Sequence, residues 1–407
     1  MEFDCIVIGK GLMGSAAAKY LSKSVKRVAV VGPGEPSDTQ QGIVFSSHYD
    51  QARIQRIIGT DAAWTLLNQQ SAAEYPSLQK ESGITFHTPA GCLYVNPHGS
   101  DFYIEQVDQL SRRFNSGYRS FENGTTLNEA FPEFHFPGIS KGISEDAPSG
   151  YINPRLLVEA QLKIFENNNG IIINEIAREV IHESDCIKII TIEGNIFKCR
   201  KVLIAAGAFT NSFNLLDKKL DFKLKSETTI WAKVSQEEAM RLNKLPSLLY
   251  EIDTPEIQNI YLIQPVKYPD GKYYLKMGAN MPGDIYFESL EEIQNWFRKA
   301  DNNANQKILQ QLLMALLPQM KAEEFTTRKC IIARTPHGKP YIGALDKKGL
   351  FVASGGNGYG AMCSDALGKI AAYLLIENSF PAEYDKKDFL PVYQTNPYPS
   401  KKETELI

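Results

Sequence analysis

The stretch that decides the fold is FDCIVIGKGLMGSAAAKYLSK, residues 3–23. Its apolar residues 3–8 predict a buried strand, and the alanine-rich run from Ser15 to Lys23 predicts a helix. The glycines of GKGLMG, residues 9–14, lie between them with the spacing G-x-G-x-x-G. A second strand at Arg27–Val31 completes a βαβ unit of about 30 residues, which is the context that this motif requires. The sequence therefore predicts a parallel α/β sheet near its amino end.

Each glycine of this motif has a separate physical role. Gly9 permits the tight turn, Gly11 lets a pyrophosphate approach the N–H groups at the positive helix end, and Gly14 lets helix and strand pack closely. A bound dinucleotide is the favoured interpretation, and a plain glycine turn is the alternative. The acidic ribose ligand expected at the end of the second strand is missing, since Gly32 stands there; Glu35 is the nearest substitute.

A second glycine-rich turn, GGNGYG at residues 355–360, follows the apolar strand 349–354 and precedes the apolar helix 361–376. The apolar strand 201–208 also ends on small residues, which allow backbone to approach a ligand. Two remote turns favour FAD, because an extended flavin dinucleotide can be contacted at both ends, whereas an NAD dehydrogenase does not need the second turn. We expect the helix 361–376 to direct its positive end at the flavin ring, with a packing-only turn as the alternative.

The predicted secondary structure changes in the middle of the chain. Helical patterns cover roughly 51–80, and aromatic strands at 259–265 and 272–277 replace the βαβ rhythm. This favours a separate, mostly antiparallel layer for substrate. We predict an α/β protein with an α+β substrate layer. Its Rossmann-like FAD-binding domain comprises residues 1–83, 145–220 and 326–407, and its mostly antiparallel substrate domain comprises residues 84–144 and 221–325.

Composition narrows the class of partner. The chain has 407 residues and a net charge of −3 without a dense basic run, which argues against nucleic-acid binding. No apolar run reaches the roughly 18 to 20 residues of a membrane span. The six cysteines form no CxxC pair and the histidines lie far apart, so neither a disulfide framework nor a metal site is indicated. We expect a cytoplasmic protein with small-molecule partners.

Taken together and in order, GKGLMG, Ala206–Ala208, Arg53 with Arg56, Lys276, Cys330 and GGNGYG resemble the D-amino-acid-oxidase superfamily. The resemblance covers nearly the whole chain and is strongest to the branch of monomeric sarcosine oxidase, N-methyltryptophan oxidase and pipecolate oxidase. It implies a monomeric oxidase that converts the C–N bond of a secondary or primary amino acid to an imine, with dioxygen reduced to hydrogen peroxide. The alternatives are a dehydrogenase of the same fold that uses a quinone or carrier protein, and a non-catalytic flavin-binding scaffold.

The resemblance also implies that Cys330 bonds covalently to the 8α-methyl carbon of the flavin. A thiolate suits that attack, and Arg328, Lys329 and Arg334 would lower the thiol pKa if they face it. A buried structural cysteine is the alternative.

Three cations are candidates for the chemistry. Arg53 and Arg56 are three residues apart and predicted on one helix face. The resemblance places Arg53 beside the flavin ring and Arg56 on the substrate carboxylate, as a bidentate clamp. Lys276 interrupts an aromatic strand, and the resemblance implies that it activates dioxygen. The alternatives are a solvated arginine pair and a lysine that faces water.

The chain departs from the branch at three positions that face substrate. Met362 replaces a lysine, and Asn280 and Tyr359 stand where histidines are usual. These residues predict a substrate other than sarcosine, with a larger or more apolar group near Met362. The other residues predicted to contact the cofactor are Met13, Gly32, Ser47, Gly207, Gly356, Asn357, Gly358 and Gly360.

Overall fold

The structure is a computed structural model that describes residues 2–36, 42–99, 101–298 and 303–395. Its helices are α1 (Leu12–Ser22), α2 (Ala62–Ser82), α3 (Asp101–Arg113), α4 (Gly124–Ala130), α5 (Pro154–Asn167), α6 (Gln236–Arg241), α7 (Leu290–Arg298), α8 (Asn303–Leu316) and α9 (Ser364–Glu377). Its strands are β1 (Glu2–Ile8), β2 (Val28–Val31), β3 (Arg53–Gln55), β4 (His87–Thr88), β5 (Cys92–Asn96), β6 (Tyr118–Phe121), β7 (Lys141–Glu145), β8 (Gly150–Ile152), β9 (Ile171–Ile173), β10 (Ala177–His182), β11 (Ile187–Thr191), β12 (Ile196–Ile204), β13 (Lys223–Val234), β14 (Ser247–Glu251), β15 (Asn259–Lys267), β16 (Tyr273–Asn280), β17 (Tyr286–Phe287), β18 (Ala322–Arg334), β19 (Tyr341–Ala344) and β20 (Leu350–Ser354).

The first sheet is built around β1. Its strands run in the order β10-β11-β12-β1-β2-β9, with β20 also beside β12. β1 pairs in parallel with β2 and β12, and β12 pairs in parallel with β20. These strands are almost continuously apolar because helices cover the sheet. α1 and α9 pack so closely that a Cβ at Gly368 would overlap Ala16. The predicted βαβ unit is confirmed, although α1 begins at Leu12 rather than Ser15.

The second sheet is mostly antiparallel, in the order β17-β13-β16-β15-β14-β5-β7-β6, with β18 on the outer side of β13. Alternation along β13 separates two environments. Ile230 and Ala232 belong to the apolar core that α8 covers, whereas Glu227 and Thr229 face a cavity. The predicted fold class, a Rossmann-like sheet plus a largely antiparallel sheet, is confirmed. The exact domain limits stay a prediction, and residue 326 lies inside β18, so that boundary divides a strand of the second sheet.

The helix predicted for roughly 51–80 is wrong in its first third. Arg53–Gln55 forms β3, which pairs with β8, and α2 begins only at Ala62. The Asp61 side chain accepts a hydrogen bond from the Trp64 N–H and caps the helix there. Pairing with β8, a partner almost a hundred residues away in the sequence, holds the preceding segment extended. Arg53 and Arg56 therefore do not share a helix face.

No helix in the described ranges is long and apolar enough to cross a membrane. α9 begins at Ser364, three residues later than predicted, because residues 359–363 form turns.

Candidate active site

One cavity of about 880 Å³ lies where the carboxyl ends of β1, β2, β12 and β20 face the second sheet. This edge is where open α/β sheets bind their ligands. The cavity lining includes all the predicted site residues except Gly14: Gly9, Gly11, Met13, Gly32, Ser47, Arg53, Arg56, Gly207, Lys276, Asn280, Cys330, Gly356, Asn357, Gly358, Tyr359, Gly360 and Met362.

The first glycine turn leaves its backbone open to the cavity. Gly9 has a φ of +104°, and a Cβ there would overlap the Ala205 carbonyl. A Cβ at Gly14 would overlap the Gly9 carbonyl, so Gly14 serves the packing of α1 on the turn. Around Gly11 the nearest group is the Ser46 hydroxyl, 3.5 Å from an added Cβ. The first N–H groups of α1 have no partner within the helix, and this end is positive. The turn thus fits the pyrophosphate of a dinucleotide.

At the end of β2, Gly32 lines the cavity and donates its N–H to the Ile173 carbonyl at 3.0 Å. Glu35, the substitute considered for a ribose ligand, forms an ion pair with Arg155. Its carboxylate is therefore already engaged by a cation.

The second glycine turn is fixed by Asn357. This residue is buried with a φ of +52°, and its side chain accepts from the Thr335 N–H at 2.9 Å and donates to the Gly355 carbonyl at 2.7 Å. A Cβ at Gly360 would meet the Gly356 Cα at 2.9 Å. The turn is therefore as narrow as its glycines allow. Ala361 and Met362, directly before α9, also line the cavity, and contact of that helix end with a flavin stays a prediction.

A charged group that we name the Asp50 cluster consists of Asp50, Arg53, Tyr268 and Lys276. The Lys276 ammonium donates to Asp50 Oδ2 at 2.6 Å and to the Ala52 carbonyl. Arg53 Nε lies 3.2 Å from Asp50 Oδ2, and the Tyr268 hydroxyl donates to Oδ1 at 2.8 Å. Lys276 is 2% exposed, so it does not face water. One carboxylate between two cations leaves the cluster with a net positive charge.

The electrostatics of the cluster follow from burial and from this pairing. Burial raises the pKa of Asp50, but Lys276 and Arg53 more than offset it and hold the pKa well below its ordinary value. Burial lowers the pKa of Lys276, and the Asp50 carboxylate opposes that change. The sequence prediction missed Asp50, although its place three residues before Arg53 was a usable signal.

Arg56 is a buried cation without a counter-charge. It is 4% exposed, its Nε has no hydrogen-bond partner, and it forms no ion pair within the described residues. Its guanidinium carbon lies 5.4 Å from the ring centre of Tyr359 and 5.7 Å from that of Tyr94. A buried unpaired charge is strongly unfavourable unless something compensates it. Arg56 is therefore suited to bind an anion in the cavity.

Glu145 holds the segment that carries Arg56. Its carboxylate accepts from the N–H groups of Ile57 at 3.1 Å and Ile58 at 3.0 Å, and from the Tyr94 hydroxyl at 3.0 Å. It is 1% exposed. Five donors surround it in all, since the hydroxyls of Ser116 and Ser149 also point to it. Nothing in the sequence indicated this role, because the partners come from distant segments.

Cys330 lines the cavity on β18, opposite Glu227 of β13. Burial raises the pKa of its thiol, and the cations Arg53 and Lys276 oppose this rise. The three basic neighbours, which were expected to lower the thiol pKa if they face it, engage other groups. Arg328 stacks on Trp231, Lys329 donates to the Trp296 carbonyl, and Arg334 donates to Asn280.

Glu227 is a further buried acid that the sequence prediction missed. It faces the cavity, and the Tyr261 hydroxyl donates to it at 3.1 Å. Burial raises the pKa of Glu227, with Lys225 and Arg53 opposing. No cluster of metal-ligating side chains occurs among the described residues.

The cavity, the two glycine turns and the sheet above them define a flavin-dependent oxidoreductase fold, and the comparison with families agrees. The chain belongs to the family of FAD-dependent oxidoreductases named DAO, whose model matches residues 4–374. The predicted resemblance is thereby confirmed.

Individual curated relatives share only modest sequence identity with this chain. N-methyl-L-tryptophan oxidase of Yersinia pestis (strain Pestoides F) is 26% identical over 211 residues, which is 51% of this chain and 54% of that protein. The match thus spans about half of the curated relative.

Among solved structures, NikD, an unusual amino acid oxidase essential for nikkomycin biosynthesis, has a TM-score of 0.77 at 17% identity, covering 98% of this chain and 100% of that one. Glycine oxidase from Geobacillus kaustophilus has a TM-score of 0.72 at 18% identity, covering 96% and 98%. At these identities the likeness shows the fold.

Proposed function

We propose that this chain is an FAD-dependent amino-acid or amine oxidase. It converts the C–N bond of a secondary or primary amino acid to an imine, and dioxygen takes up the two electrons and two protons as hydrogen peroxide. Water then hydrolyses the imine. The observation that carries this proposal is the shared cavity, whose lining combines the open first glycine turn, the second glycine turn and the buried, unpaired Arg56 beside Tyr359.

The two glycine turns would hold the cofactor through their backbone groups rather than through side chains. The N–H groups at Gly11 and the start of α1 would hold the pyrophosphate, and the narrow turn Gly356–Gly360 would contact the flavin end. When bound, FAD supplies the chemistry of accepting a hydride equivalent from the carbon next to nitrogen and returning the electrons to an acceptor.

Charged side chains line the part of the cavity that we assign to the substrate. Arg56 would hold the α-carboxylate through two parallel hydrogen bonds, and Tyr94 and Tyr359 would exclude water from that pair. The positive Asp50 cluster would favour negative charge that develops on dioxygen, with Lys276 and Arg53 as the fixed cations. Holding these groups in place before the reaction is the contribution of the protein.

We also propose that the flavin is bound covalently through Cys330. The half-buried thiol faces the cavity with Arg53 nearby, which supports this attachment. Acid denaturation tests it: the yellow chromophore should precipitate with the wild-type chain and with Cys186→Ser, but stay in solution for Cys330→Ser. Free flavin released from the wild-type chain contradicts the attachment.

A second candidate rests on one specific observation. The Lys276 ammonium already forms an ion pair with Asp50, which reduces the charge available to dioxygen and favours a dehydrogenase that uses a quinone or carrier protein.

Two steps of one experiment decide between these functions. In the first, the protein is mixed without oxygen with a panel of N-methyl, cyclic and primary amino acids, and flavin absorbance is followed. Bleaching by carboxylate-bearing amines is expected, and a flavin that no compound bleaches supports a scaffold instead.

In the second step, oxygen is admitted and peroxide is measured. The oxidase should form peroxide, and Lys276→Met should lose this by about 100-fold while flavin reduction is retained. The matched variant Lys272→Met, at an exposed position of the same cavity, should behave like wild type. Rapid dye reduction without peroxide identifies the dehydrogenase.

A further inference from the structure

The cavity wall carries an acid that the proposed reaction does not use. Glu251 at the end of β14 lines the cavity, and the sheet register brings Asn259 of β15 and Asn280 of β16 beside it. All three side chains line the cavity, on three successive strands of the second sheet, and Asn280 shares β16 with Lys276.

Hydrogen bonds connect these side chains in one direction. Arg334 Nη2 donates to Asn280 Oδ1 at 3.1 Å, and Asn280 Nδ2 donates to Asn259 Oδ1 at 2.7 Å. Asn259 Nδ2 then donates to Glu251 Oε2 at 3.4 Å. Glu251 is the last acceptor of the chain, and this single long bond is its only one from the described residues. A half-buried carboxylate with an unused oxygen therefore faces the cavity.

Arg56 lies next to this acid without pairing with it. Leu249, two residues before Glu251 on the same strand face, is opposite Tyr94, whose ring centre lies 5.7 Å from the Arg56 guanidinium carbon. Two residues along a strand span about 7 Å. Neither Arg56 nor Glu251 forms an ion pair within the described residues, and the buried Arg56 Nε has no partner at all. The cavity lining therefore presents one cation and one anion, neither engaged in an ion pair, to the same ligand.

We propose that the cavity selects amino acids whose side chain ends in a cationic nitrogen, with the α-carboxylate on Arg56 and the side-chain cation on Glu251. This rests on the proposed function. A neutral side chain would displace cavity water from Glu251 and leave its carboxylate poorly hydrogen-bonded, which is unfavourable in a half-buried place.

Two other groups that line the cavity are compatible with a substrate whose side chain is cationic. Met362, which replaces a lysine of the related branch, adds no positive charge that would repel a cationic side chain. Arg334, the cation at the start of this series of hydrogen bonds, donates to Asn280. The side-chain amides of Asn280 and Asn259 therefore separate it from Glu251. Glu251 is thus a specificity-determining residue, distinct from the clamp at Arg56.

The test compares ligands of equal shape and different charge. Ornithine is paired with norleucine and lysine with 2-aminoheptanoate, each as both enantiomers, on the FAD-loaded protein without oxygen. The half-saturating concentration for flavin bleaching is measured, together with the shift in melting temperature, which reports binding without turnover. The wild type should prefer the cationic member of a pair by about tenfold, equivalent to about 1.4 kcal/mol.

Glu251→Gln keeps the shape and the acceptor but removes the charge, and it should abolish this preference. Glu324→Gln removes a carboxylate from an exposed position of the same cavity and should preserve it. Equal responses to charged and neutral ligands in the wild type, or a preference retained in Glu251→Gln, overturn the inference and leave the proposed function standing. If no amino acid bleaches the flavin, the proposed function fails, and the melting shifts alone then decide whether Glu251 recognises a cation.

Discussion

At one end of the cavity, residues 9–14 offer backbone N–H groups, whereas at the other end Arg56 and the Asp50 cluster offer charged side chains. The first end is made by one continuous segment, in which Gly9 and Gly14 are needed because a Cβ at either position would overlap the backbone. The second is assembled from the segment 50–56 around β3 and from the segment 268–276, which are more than two hundred positions apart in the sequence. Steric demands therefore govern the cofactor end, and electrostatic demands govern the substrate end. Each prediction below changes one end and asks whether the other end responds.

The largest effect is expected from Gly14→Ala. The added Cβ overlaps the Gly9 carbonyl, so α1 must move away from the turn, and FAD affinity should fall by roughly 100-fold or more, corresponding to about 3 kcal/mol. Flavin absorbance per purified chain measures this, and circular dichroism checks the fold. Gly34→Ala is the control, because no atom lies within 4 Å of its added Cβ. Full flavin content in Gly14→Ala contradicts the steric account.

Arg56→Gln should leave flavin content unchanged and weaken the binding of carboxylate-bearing substrates by roughly 10- to 100-fold, because charge-assisted hydrogen bonds are lost. Titration of anaerobic flavin reduction measures this. Amines without a carboxylate should be affected much less. Arg119→Gln, which removes an exposed arginine paired with Asp146, serves as the control. A variant that lost flavin instead would show that the two ends are not separable.

Glu145→Gln should have a smaller effect of the same kind, roughly 3- to 10-fold on KM with kcat little changed. The amide keeps one acceptor oxygen but places its NH2 group against the N–H of either Ile57 or Ile58, so the segment that carries Arg56 is held less firmly. A double-mutant cycle with Arg56→Gln tests this positioning role. Fully additive effects would mean that Glu145 does not act through Arg56.

The smallest effect concerns pH and Glu227. Burial raises its pKa in the folded chain above the ordinary 4.5, so the folded state binds the proton more tightly than the unfolded state. Its contribution to stability is present below the unfolded pKa and is lost as pH rises through the folded pKa. Glu227→Gln should therefore gain stability relative to wild type between about pH 4 and about pH 7. Urea unfolding at both pH values measures this, with exposed Glu129→Gln as the control; a constant difference between wild type and Glu227→Gln refutes it.

The glycine turns at the cofactor end could be predicted from the sequence, whereas the acids at the substrate end could not. GKGLMG and GGNGYG are local motifs with a mechanical reason for each glycine, and the apolar strands around them follow from burial on both faces. The helix placed over Arg53 failed because pairing with β8 overrides local periodicity there. Asp50, Glu145, Glu227 and Glu251 escaped notice because acids at the surface and in a cavity look alike until the fold brings their partners together.

The bonds around Asn357 have a mechanical consequence. Its side chain accepts from the Thr335 N–H, and its own N–H donates to the Ala333 carbonyl at 3.0 Å, so hydrogen bonds hold the end of β18 to the glycine turn that follows β20. Cys330 sits on that same strand. We therefore expect the end of β18, the strand that carries Cys330, and the second glycine turn to move as one unit.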